Sequence, residues 1–347
     1  MKKIRVLIVE DSKFYQELLH RGISQDPMIE VVAVASDPYE ARDAIVEFRP
    51  DVMTLDIDLP KMDGIEFLRR LLPQYAIPVV MVSSLDGKVF DALAAGAVDF
   101  VCKPGINNTA EEIVNFISQE ICTKIKVAST AKLGDFKLRR SGKTFADKSL
   151  YEGRVIAIGA STGGTEAIFD VVKEFERDYP PVVIVQHMPA GFTAMYADRL
   201  NNSCRMTVKE AHNGDKLERG LILLANGAEQ MRVVKRGANY FVECKPGEKV
   251  SGHCPSVDVL FDSVADSVGA NAIGVILTGM GGDGARGLLK MRQSGAMTVG
   301  QDENSCVVYG MPRVAYDCGA VMYQLDLQDI PTKVFSLINT KPAKGGV

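Results

Sequence analysis

The sequence predicts an α/β fold made of two doubly wound parallel-sheet domains. Short apolar, β-branched segments alternate with amphipathic segments of helical periodicity along most of the chain, and this alternation lapses once, at residues 126–152. With 347 residues, the chain exceeds the usual length of one domain, and its 46% hydrophobic residues suffice for two packed cores. We therefore expect domains at residues 1–125 and 153–340, joined by a linker at residues 126–152.

The first domain has the pattern of five strands that are each followed by a helix. Helical periodicity fills the gaps between runs rich in valine and isoleucine. Strands separated by helices usually pair in parallel, so a (βα)5 domain is expected. Its strands are predicted at residues 4–10, 30–36, 51–57, 77–83 and 98–102.

The linker and the second domain differ clearly in composition. Residues 126–152 are rich in Lys, Arg, Ser, Gly and Thr, which is typical of an exposed linker. From residue 154 the alternation resumes, and residues 231–244 have the pattern of an antiparallel hairpin, whereas the polar residues 341–347 are expected to be disordered. The remaining strands are predicted in the segments VIAIGAS, PVVIVQHM, GLILLANG, AIGVILTGM, AMTVGQ and AVMYQL.

Charge and composition disfavour several classes of protein. The net charge is −4 and no run of Lys or Arg exceeds two, so nucleic-acid binding is not expected. No apolar run approaches the roughly 18–20 residues that span a bilayer, so we expect a cytoplasmic protein without membrane insertion. The seven cysteines have no CxxC spacing, which argues against a disulfide framework or a zinc site. We also expect a monomer.

Acidic residues follow the strands of the first domain, where ligands bind in open parallel sheets. Glu10 and Asp11 close the first predicted strand and Asp56 ends the third. Taken singly, such residues are more often helix caps. Together they would repel one another unless a divalent cation lay between them, and oxygen ligands suit Mg²⁺ better than zinc. The Asp56 carboxylate could then attack a phosphoryl group, whose oxygens Ser83 and Lys103 could contact.

The motifs at these strand ends resemble the response-regulator receiver family over about the first third of the chain. They are ED, DIDLPKMDG, SS and KP, after the first, third, fourth and fifth strands. The resemblance implies that Asp56 is the phosphoacceptor and that Ser83 and Lys103 read out its phosphorylated state. Many members have aspartate where this chain has Glu10, and the longer side chain favours metal contact through a water. The implied surroundings of Mg²⁺ are Glu10, Asp11, Asp56 and the backbone carbonyl of Asp58.

A serine lies in a glycine-rich turn of the second domain. Residues 157–166 read AIGASTGGTE, so that Ser161 follows an apolar strand and precedes a helix predicted at residues 167–175. Backbone N–H groups at the start of a helix lack intrahelical acceptors and can stabilise an oxyanion. Such turns more often bind phosphate or pack tightly, so partner residues must decide whether the serine is a nucleophile.

Two further residues of the second domain end apolar strands. His187 ends VVIVQ, and Asp283 lies in TGMGGDG after AIGVIL. Singly, the histidine could equally be a core residue and the aspartate a turn residue. Since all three strand ends can meet in one crevice, Ser161, His187 and Asp283 could form a triad in which the histidine takes the serine proton and the aspartate orients the imidazole.

The segments GASTGGTEAI, VIVQHMPAGFT, GHCPSVDVLF and LTGMGGDGARG resemble the chemotaxis methylesterase family, CheB, over most of residues 154–322. The resemblance implies Ser161 as nucleophile, His187 as general base and then acid, and Asp283 as orienting carboxylate. It also implies an oxyanion hole formed by the backbone N–H groups of Thr162 and Met280. Residues 253–256 belong to the family pattern beside the active-site mouth, although a helix start explains them nearly as well.

The function implied by both resemblances is regulated hydrolysis. A receiver phosphorylated by a chemotaxis sensor histidine kinase would activate a catalytic domain that demethylates glutamate methyl esters and deamidates glutamines. The substrate would be the cytoplasmic helical region of methyl-accepting chemotaxis receptors. Mg²⁺ would serve receiver phosphorylation, and hydrolysis itself would need no cofactor.

Three other functions are compatible with parts of the sequence. Residues 159–163 satisfy the GxSxG motif of α/β-hydrolases, but that fold requires the order serine, acid, histidine, and no histidine follows Asp283. A receiver with a nucleic-acid-binding domain lacks a helix-turn-helix pattern and a basic face. A nucleotide-binding partner domain lacks a Walker lysine and the full GxGxxG spacing.

Overall fold

The computed structural model describes residues 2–84, 87–104, 108–131 and 151–340. It divides into two compact units, Met1–Leu133 and Gly134–Val347. No helix among the described residues combines the length and the apolar composition needed to cross a membrane.

The first unit has the predicted five-stranded parallel sheet, in the order β2-β1-β3-β4-β5. The strand order reverses between β1 and β3, and at such a point open α/β sheets form a crevice outside the carboxyl ends of their strands. Both strands are mostly buried, so the polar residues that follow them in the chain lie where the apolar core ends. The strands are β1 Ile4–Val9, β2 Ile29–Ala35, β3 Val52–Leu55, β4 Val79–Ser83 and β5 Asp99–Cys102.

Helices follow each strand of the first unit. Side chains of Ser12, Asp37 and Asp63 cap the first three by accepting backbone hydrogen bonds, which explains where these helices begin. The last helix ends at Ala128, three residues into the segment predicted as a linker, and residues 132–150 lie outside the described residues. The linker therefore stays a prediction. The helices are α1 Lys13–Ile23, α2 Pro38–Phe48, α3 Gly64–Leu71, α4 Lys88–Ala94, α5 Ala110–Phe116, a π-helical segment Ile117–Ile121 and α6 Cys122–Ala128.

The second unit contains a seven-stranded parallel sheet in the order β14-β13-β12-β6-β7-β9-β8. The parallel α/β fold of both units is thus confirmed. β12, β6 and β7 lie near the middle of the sheet, and every residue in them is buried. The strands are β6 Val155–Ala160, β7 Val182–Gln186, β8 Thr207–Glu210, β9 Leu221–Leu224, β12 Ala272–Ile276, β13 Met297–Gln301 and β14 Tyr323–Leu325.

The predicted antiparallel hairpin is present as β10 Gln230–Arg236 and β11 Asn239–Lys245. It forms a separate two-stranded sheet rather than an extension of the main sheet. Two serines of helix α9 Val257–Ser267 bond the backbone of Val233 and attach this helix to the hairpin. The edge strand β8 was not predicted, because its sequence TVKE mixes charged and apolar residues in too short a run. The tail at residues 341–347 lies outside the described residues.

Helices cover both faces of the main sheet. Two of them, α7 and α9, begin beside the carboxyl ends of the central strands, which brings free helix N-termini to the crevice. The remaining helices are α7 Gly164–Val172, α8 Phe192–Ser203, α10 Ala285–Gln293, α11 Met311–Asp317 and α12 Ile330–Ile338, with 3₁₀ turns at Gly269–Asn271 and Leu327–Asp329.

Candidate active site and phosphoryl site

The three residues predicted as a triad follow three adjacent strands of the second unit. Ser161 comes directly after β6 and His187 directly after β7, and the preceding residues of the two strands are paired in register. The backbone N–H of His187 donates to the carbonyl of Ala160 at 3.2 Å. Asp283 lies in the loop that follows β12, the strand on the other side of β6. All three therefore lie at the same edge of the sheet.

His187 and Asp283 are joined by a buried hydrogen bond. The distance from Nε2 of His187 to Oδ2 of Asp283 is 2.8 Å, and their side chains are 8% and 1% exposed. Burial acts to raise the pKa of Asp283, but the hydrogen bond and charge of His187 and the hydrogen bond from Ser256 outweigh it and lower the pKa. An ionised carboxylate can only accept, so Nε2 carries the proton. Among the described residues, the buried Nδ1 has no hydrogen-bond partner, and in a neutral imidazole this nitrogen carries the lone pair that can accept a proton.

The start of helix α9 holds the Asp283 carboxylate. The backbone N–H groups of Val257 and Asp258 donate to it at 2.7 and 3.0 Å, and the hydroxyl of Ser256 donates at 2.8 Å. Donors at a helix N-terminus have no intrahelical acceptors and stabilise negative charge. Gly284, next in the chain, has a φ of +91° and approaches the Val257 side chain so closely that a β-carbon would lie 2.5 Å from it. Glycine is required there to turn the loop onto the helix.

The sequence pattern indicated Ser256 only as a residue that starts a helix. It does cap α9 by accepting from the backbone N–H of Val259. Its hydroxyl, however, also donates to Asp283, a contact that joins residues 27 positions apart. No local pattern signals such a contact, since it depends on where the loop after β12 meets α9.

Backbone and side-chain contacts fix the turn that carries Ser161. Its N–H donates to the carbonyl of Thr278 at 3.0 Å, and its carbonyl accepts from Gly164 at 2.7 Å and from Nε2 of Gln186 at 2.9 Å. Gln186 also donates to the carbonyl of His187 at 3.2 Å, so one buried amide contacts both predicted catalytic residues. Gln186 was not among the predicted site residues, although a polar residue that ends the apolar run VVIV was a possible signal.

The predicted oxyanion residues flank the Ser161 turn. Thr162 follows the serine directly, and its carbonyl accepts from the hydroxyl of Thr278 at 3.0 Å. Met280 follows Gly279, which lies so close that a β-carbon there would come within 2.7 Å of the Ser161 β-carbon. Both peptide segments thus pass next to the serine. That their N–H groups bind an oxyanion stays a prediction.

His253 lies against the predicted catalytic histidine. The ring centroids of His187 and His253 are 3.7 Å apart and the rings are parallel to within 10°. Residues 253–256 were expected beside the active-site mouth only because of the family resemblance. A stacked contact between residues on different loops could not be read from spacing.

The predicted metal-binding carboxylates meet at the edge of the first sheet. Ligand atoms of Glu10, Asp11 and Asp56 lie within 4.8 Å of one another. Lys103 contacts this cluster, with its Nζ 2.5 Å from Oδ2 of Asp56 and 2.7 Å from Oε2 of Glu10. A set of close carboxylate oxygens fits a hard cation such as Mg²⁺, which prefers oxygen ligands. The residues present therefore fit the metal that the sequence predicts.

Burial and charge oppose each other in this cluster. Burial raises the pKa of Glu10 to about 6, although the neighbouring Lys103 acts to lower it. For Lys103, burial would lower the pKa, but the charges of Glu10 and Asp56 outweigh burial and raise it. The lysine therefore stays protonated between the two carboxylates. Its ammonium group also lies 4.9 Å from the centre of the Tyr15 ring.

The two remaining residues predicted for the phosphoryl site have different surroundings. Ser83 ends β4 and is buried, and its carbonyl accepts from the backbone N–H of Lys103 at 2.8 Å. Asp58 has an exposed side chain, with a carboxylate oxygen 3.5 Å from Nζ of Lys88. The group of Asp58 that is predicted to bind Mg²⁺ is its backbone carbonyl. The side-chain contact therefore does not test this role, which stays a prediction.

The pKa of Asp283 leads to a prediction about stability. We expect Asp283→Asn to destabilise the chain at neutral pH by about 1–3 kcal/mol, because buried donors lose a charged acceptor. The pKa of Asp283 is lower in the folded state than the ordinary value of 3.8, which applies to the unfolded chain. The ionised carboxylate therefore stabilises the fold fully above pH 3.8, and this stabilisation is lost as the pH falls through the lower pKa of the folded state. The free energies of unfolding of the wild type and Asp283→Asn, measured with urea, should therefore differ less in acid than at neutral pH. A difference that stays constant or grows in acid would contradict this linkage.

Comparison with known proteins shows two family matches. The sequence model of the CheB methylesterase family matches residues 156–334, and that of the response regulator receiver domain matches residues 6–117. The chain is 59% identical over 343 residues to protein-glutamate methylesterase/protein-glutamine glutaminase 2 of Syntrophomonas wolfei, covering 98% of this chain and 99% of the relative. It is 45% identical over 348 residues to the Salmonella typhimurium protein-glutamate methylesterase/protein-glutamine glutaminase, covering 99% of each chain.

A solved structure is similar to the second unit. The CheB methylesterase catalytic domain of Thermotoga maritima aligns with a TM-score of 0.53 and 34% identity. The alignment covers 54% of this chain and 99% of the Thermotoga chain.

Proposed function

The chain belongs to the CheB methylesterase family, and on this premise we propose that it demethylates glutamate methyl esters and deamidates glutamines of chemotaxis receptors under control of its receiver domain. The observation that carries the proposal is the buried hydrogen bond from His187 to Asp283, at the end of the strand next to Ser161. It leaves the other imidazole nitrogen without a hydrogen-bond partner among the described residues, beside a serine turn, and a serine hydrolase needs such a nitrogen as its base.

In the acylation step, the Ser161 hydroxyl oxygen attacks the side-chain carbonyl carbon of the substrate. Nδ1 of His187 takes the serine proton, and Asp283 stabilises the imidazolium that forms. The N–H groups of Thr162 and Met280 donate to the oxyanion of the tetrahedral intermediate. When this intermediate collapses, His187 returns the proton to the leaving group, which departs as methanol from an ester or as ammonia from a glutamine.

In the deacylation step, water attacks the acyl-serine. His187 now takes a proton from the water and gives it to the Ser161 oxygen as the acyl bond breaks. The product is a glutamate side chain in either case, and the free serine is regenerated. No step needs an electron carrier or a metal, so hydrolysis is proposed to require no cofactor.

The first domain is proposed to control this activity through Asp56. Its carboxylate would receive a phosphoryl group from a sensor histidine kinase. The residues that would hold Mg²⁺ are Glu10, Asp11, Asp56 and the carbonyl of Asp58, and the bound ion would neutralise charge between the carboxylates and the phosphoryl oxygens. Lys103 is close enough to Asp56 to move its ammonium group to the phosphoryl oxygens, and Ser83 would donate its hydroxyl to them.

We propose that the enzyme works in the cytoplasm, where it modifies receptors. Its partners would be a chemotaxis sensor histidine kinase and the cytoplasmic helical region of methyl-accepting chemotaxis receptors. Because the glutamyl side chain protrudes from a helix, the crevice at the strand ends can reach it without unwinding the partner. We propose that the enzyme acts as a monomer and binds no nucleic acid.

Methanol release from methylated receptor fragments tests the proposal directly. We expect release by the purified full chain, and faster release after addition of Mg²⁺ and acetyl phosphate as a small phosphodonor. Release from simple alkyl esters but not from receptor fragments would favour a general esterase. No release from any ester would contradict a hydrolase.

The proposed phosphorylation of Asp56 leads to a prediction about regulation. We expect Asp56→Asn to keep the unstimulated rate of methanol release and to lose the stimulation by acetyl phosphate and Mg²⁺, because the amide cannot form an acyl phosphate. The measurement is the rate with and without phosphodonor. Asp43→Asn, which removes an exposed carboxylate of α2, is the matched control and should be stimulated normally. Equal stimulation of Asp56→Asn and the wild type would contradict phosphorylation at this residue.

A further inference from the structure

The stacked pair of histidines is not explained by the triad alone. Aromatic rings usually pair in offset or edge-to-face arrangements. The His187 and His253 rings are nearly parallel, and their centroids are only 3.7 Å apart, so one ring lies almost directly over the other. His253 therefore covers one face of the imidazole that is proposed to carry the proton.

The loop at residues 250–256 holds His253 firmly. The backbone N–H and carbonyl of His253 each bond to Val250 at 2.9 Å. The buried side chain of Gln230 donates to the His253 carbonyl at 3.2 Å and accepts from the N–H of Ser256 at 2.9 Å. Since Ser256 in turn bonds Asp283, the same short loop supports the acid of the triad and supplies a ring against its histidine.

The contacts of His187 show what this ring can do. Its imidazole has one side-chain hydrogen bond, from Nε2 to Asp283, while Nδ1 has no partner among the described residues. One hydrogen bond fixes the position of one ring atom but leaves the plane of the ring free to rotate about that bond. A flat group packed on the ring face removes this freedom.

We propose that His253 is a positioning residue that holds the plane of His187, so that Nδ1 keeps the orientation in which the proposed mechanism uses it as a base for the Ser161 hydroxyl. The inference rests on the proposed function, because it assigns His253 a part in the same hydrolysis. It assigns His253 no proton transfer and no contact with the reacting atoms.

Three variants of the full chain test this inference by methanol release. We expect His253→Ala to lower kcat by about 10–100-fold with KM nearly unchanged, because a small misplacement of a catalytic group costs about that factor. His253→Phe should regain most of kcat, since its flat ring can cover the same face without any imidazole nitrogen. His212→Ala is the matched control, because it removes an exposed histidine of the same unit and should behave as the wild type.

A spectroscopic measurement separates positioning from loss of fold. Nitrogen NMR of the histidine side chains should show one tautomer of His187, protonated at Nε2, in the wild type and in His253→Phe. In His253→Ala we expect averaging between ring states, while phosphorylation of Asp56 and the thermal unfolding temperature stay normal. If His253→Ala does not fold, His253→Asn replaces it, because the amide is too small to cover the ring.

The possible outcomes are distinct. An unchanged kcat in a folded His253→Ala protein would overturn the inference, as would a rise in KM at constant kcat, which indicates substrate binding instead. A His253→Phe variant as slow as His253→Ala would also overturn it, because the ring itself would then not be what matters. A wild type that releases no methanol would contradict the proposed function and not this inference alone.

Discussion

Replacing Ser161 by alanine is expected to reduce methanol release from methylated receptor fragments by a factor on the order of 10⁴ or more. The hydroxyl is the only group in the proposed mechanism that bonds the substrate covalently, so neither His187 nor the oxyanion donors can compensate for its loss. The residual rate would reflect the binding and polarisation of the ester alone. The measurement is kcat of the full chain, with and without phosphodonor.

The fold should tolerate this substitution. Ser161 contacts its surroundings through the backbone N–H and carbonyl, which alanine retains. Unfolding and phosphorylation of Asp56 should therefore match the wild type. Ser203→Ala, at the exposed end of α8, is the matched control and should keep full activity. Residual methanol release near the wild-type rate in Ser161→Ala would require a different nucleophile.

Replacing Asp283 by asparagine is expected to lower kcat by about 10⁴-fold, the size of the effect of the same change in a well-studied Ser-His-Asp triad. The ionised carboxylate accepts from Nε2 of His187 and so keeps Nδ1 free to take a proton. An amide nitrogen turned towards Nε2 would instead stabilise the opposite tautomer, in which Nδ1 carries the proton and cannot act as a base. Steady-state kinetics should show the loss mainly in kcat.

An exposed aspartate of the neighbouring helix provides the control for this variant. Asp266 lies on α9 and pairs with Lys290 at 2.7 Å, and its side chain is 66% exposed. Asp266→Asn should therefore leave kcat unchanged. If Asp283→Asn retained most of its kcat, the buried hydrogen bond would have to be regarded as a structural contact rather than part of the catalytic machinery.

Most of the fold could be predicted from the sequence. Valine-rich and isoleucine-rich runs of strand length predicted the buried parallel strands, because strands covered on both faces must be apolar throughout. The hairpin was predicted from its alternating pattern. The edge strand β8 was missed because it is not buried on both faces. Such a strand can carry polar residues, here Lys209 and Glu210, and therefore shows no apolar run.

The site was predicted only as far as strand ends can be located. Polar residues directly after buried strands, such as Asp56 and His187, are conspicuous because the topology brings such positions to one edge of the sheet. Gln186 and Ser256 were not recognised as supporting residues, because a buried glutamine and a helix cap each have a sufficient local explanation. Their roles become visible only when the bonds to Ser161 and Asp283 are measured.

The sequence by itself determined the buried strands, the hairpin and the polar residues that stand at the carboxyl ends of the strands, because hydrophobic periodicity is a local property of the chain. It also determined the chain order Ser161, His187, Asp283. Only the tertiary structure decided which imidazole nitrogen meets the carboxylate, that the start of α9 binds that carboxylate, and that His253 lies on the His187 ring. These contacts join loops far apart in sequence, and their geometry depends on how whole helices pack against the sheet.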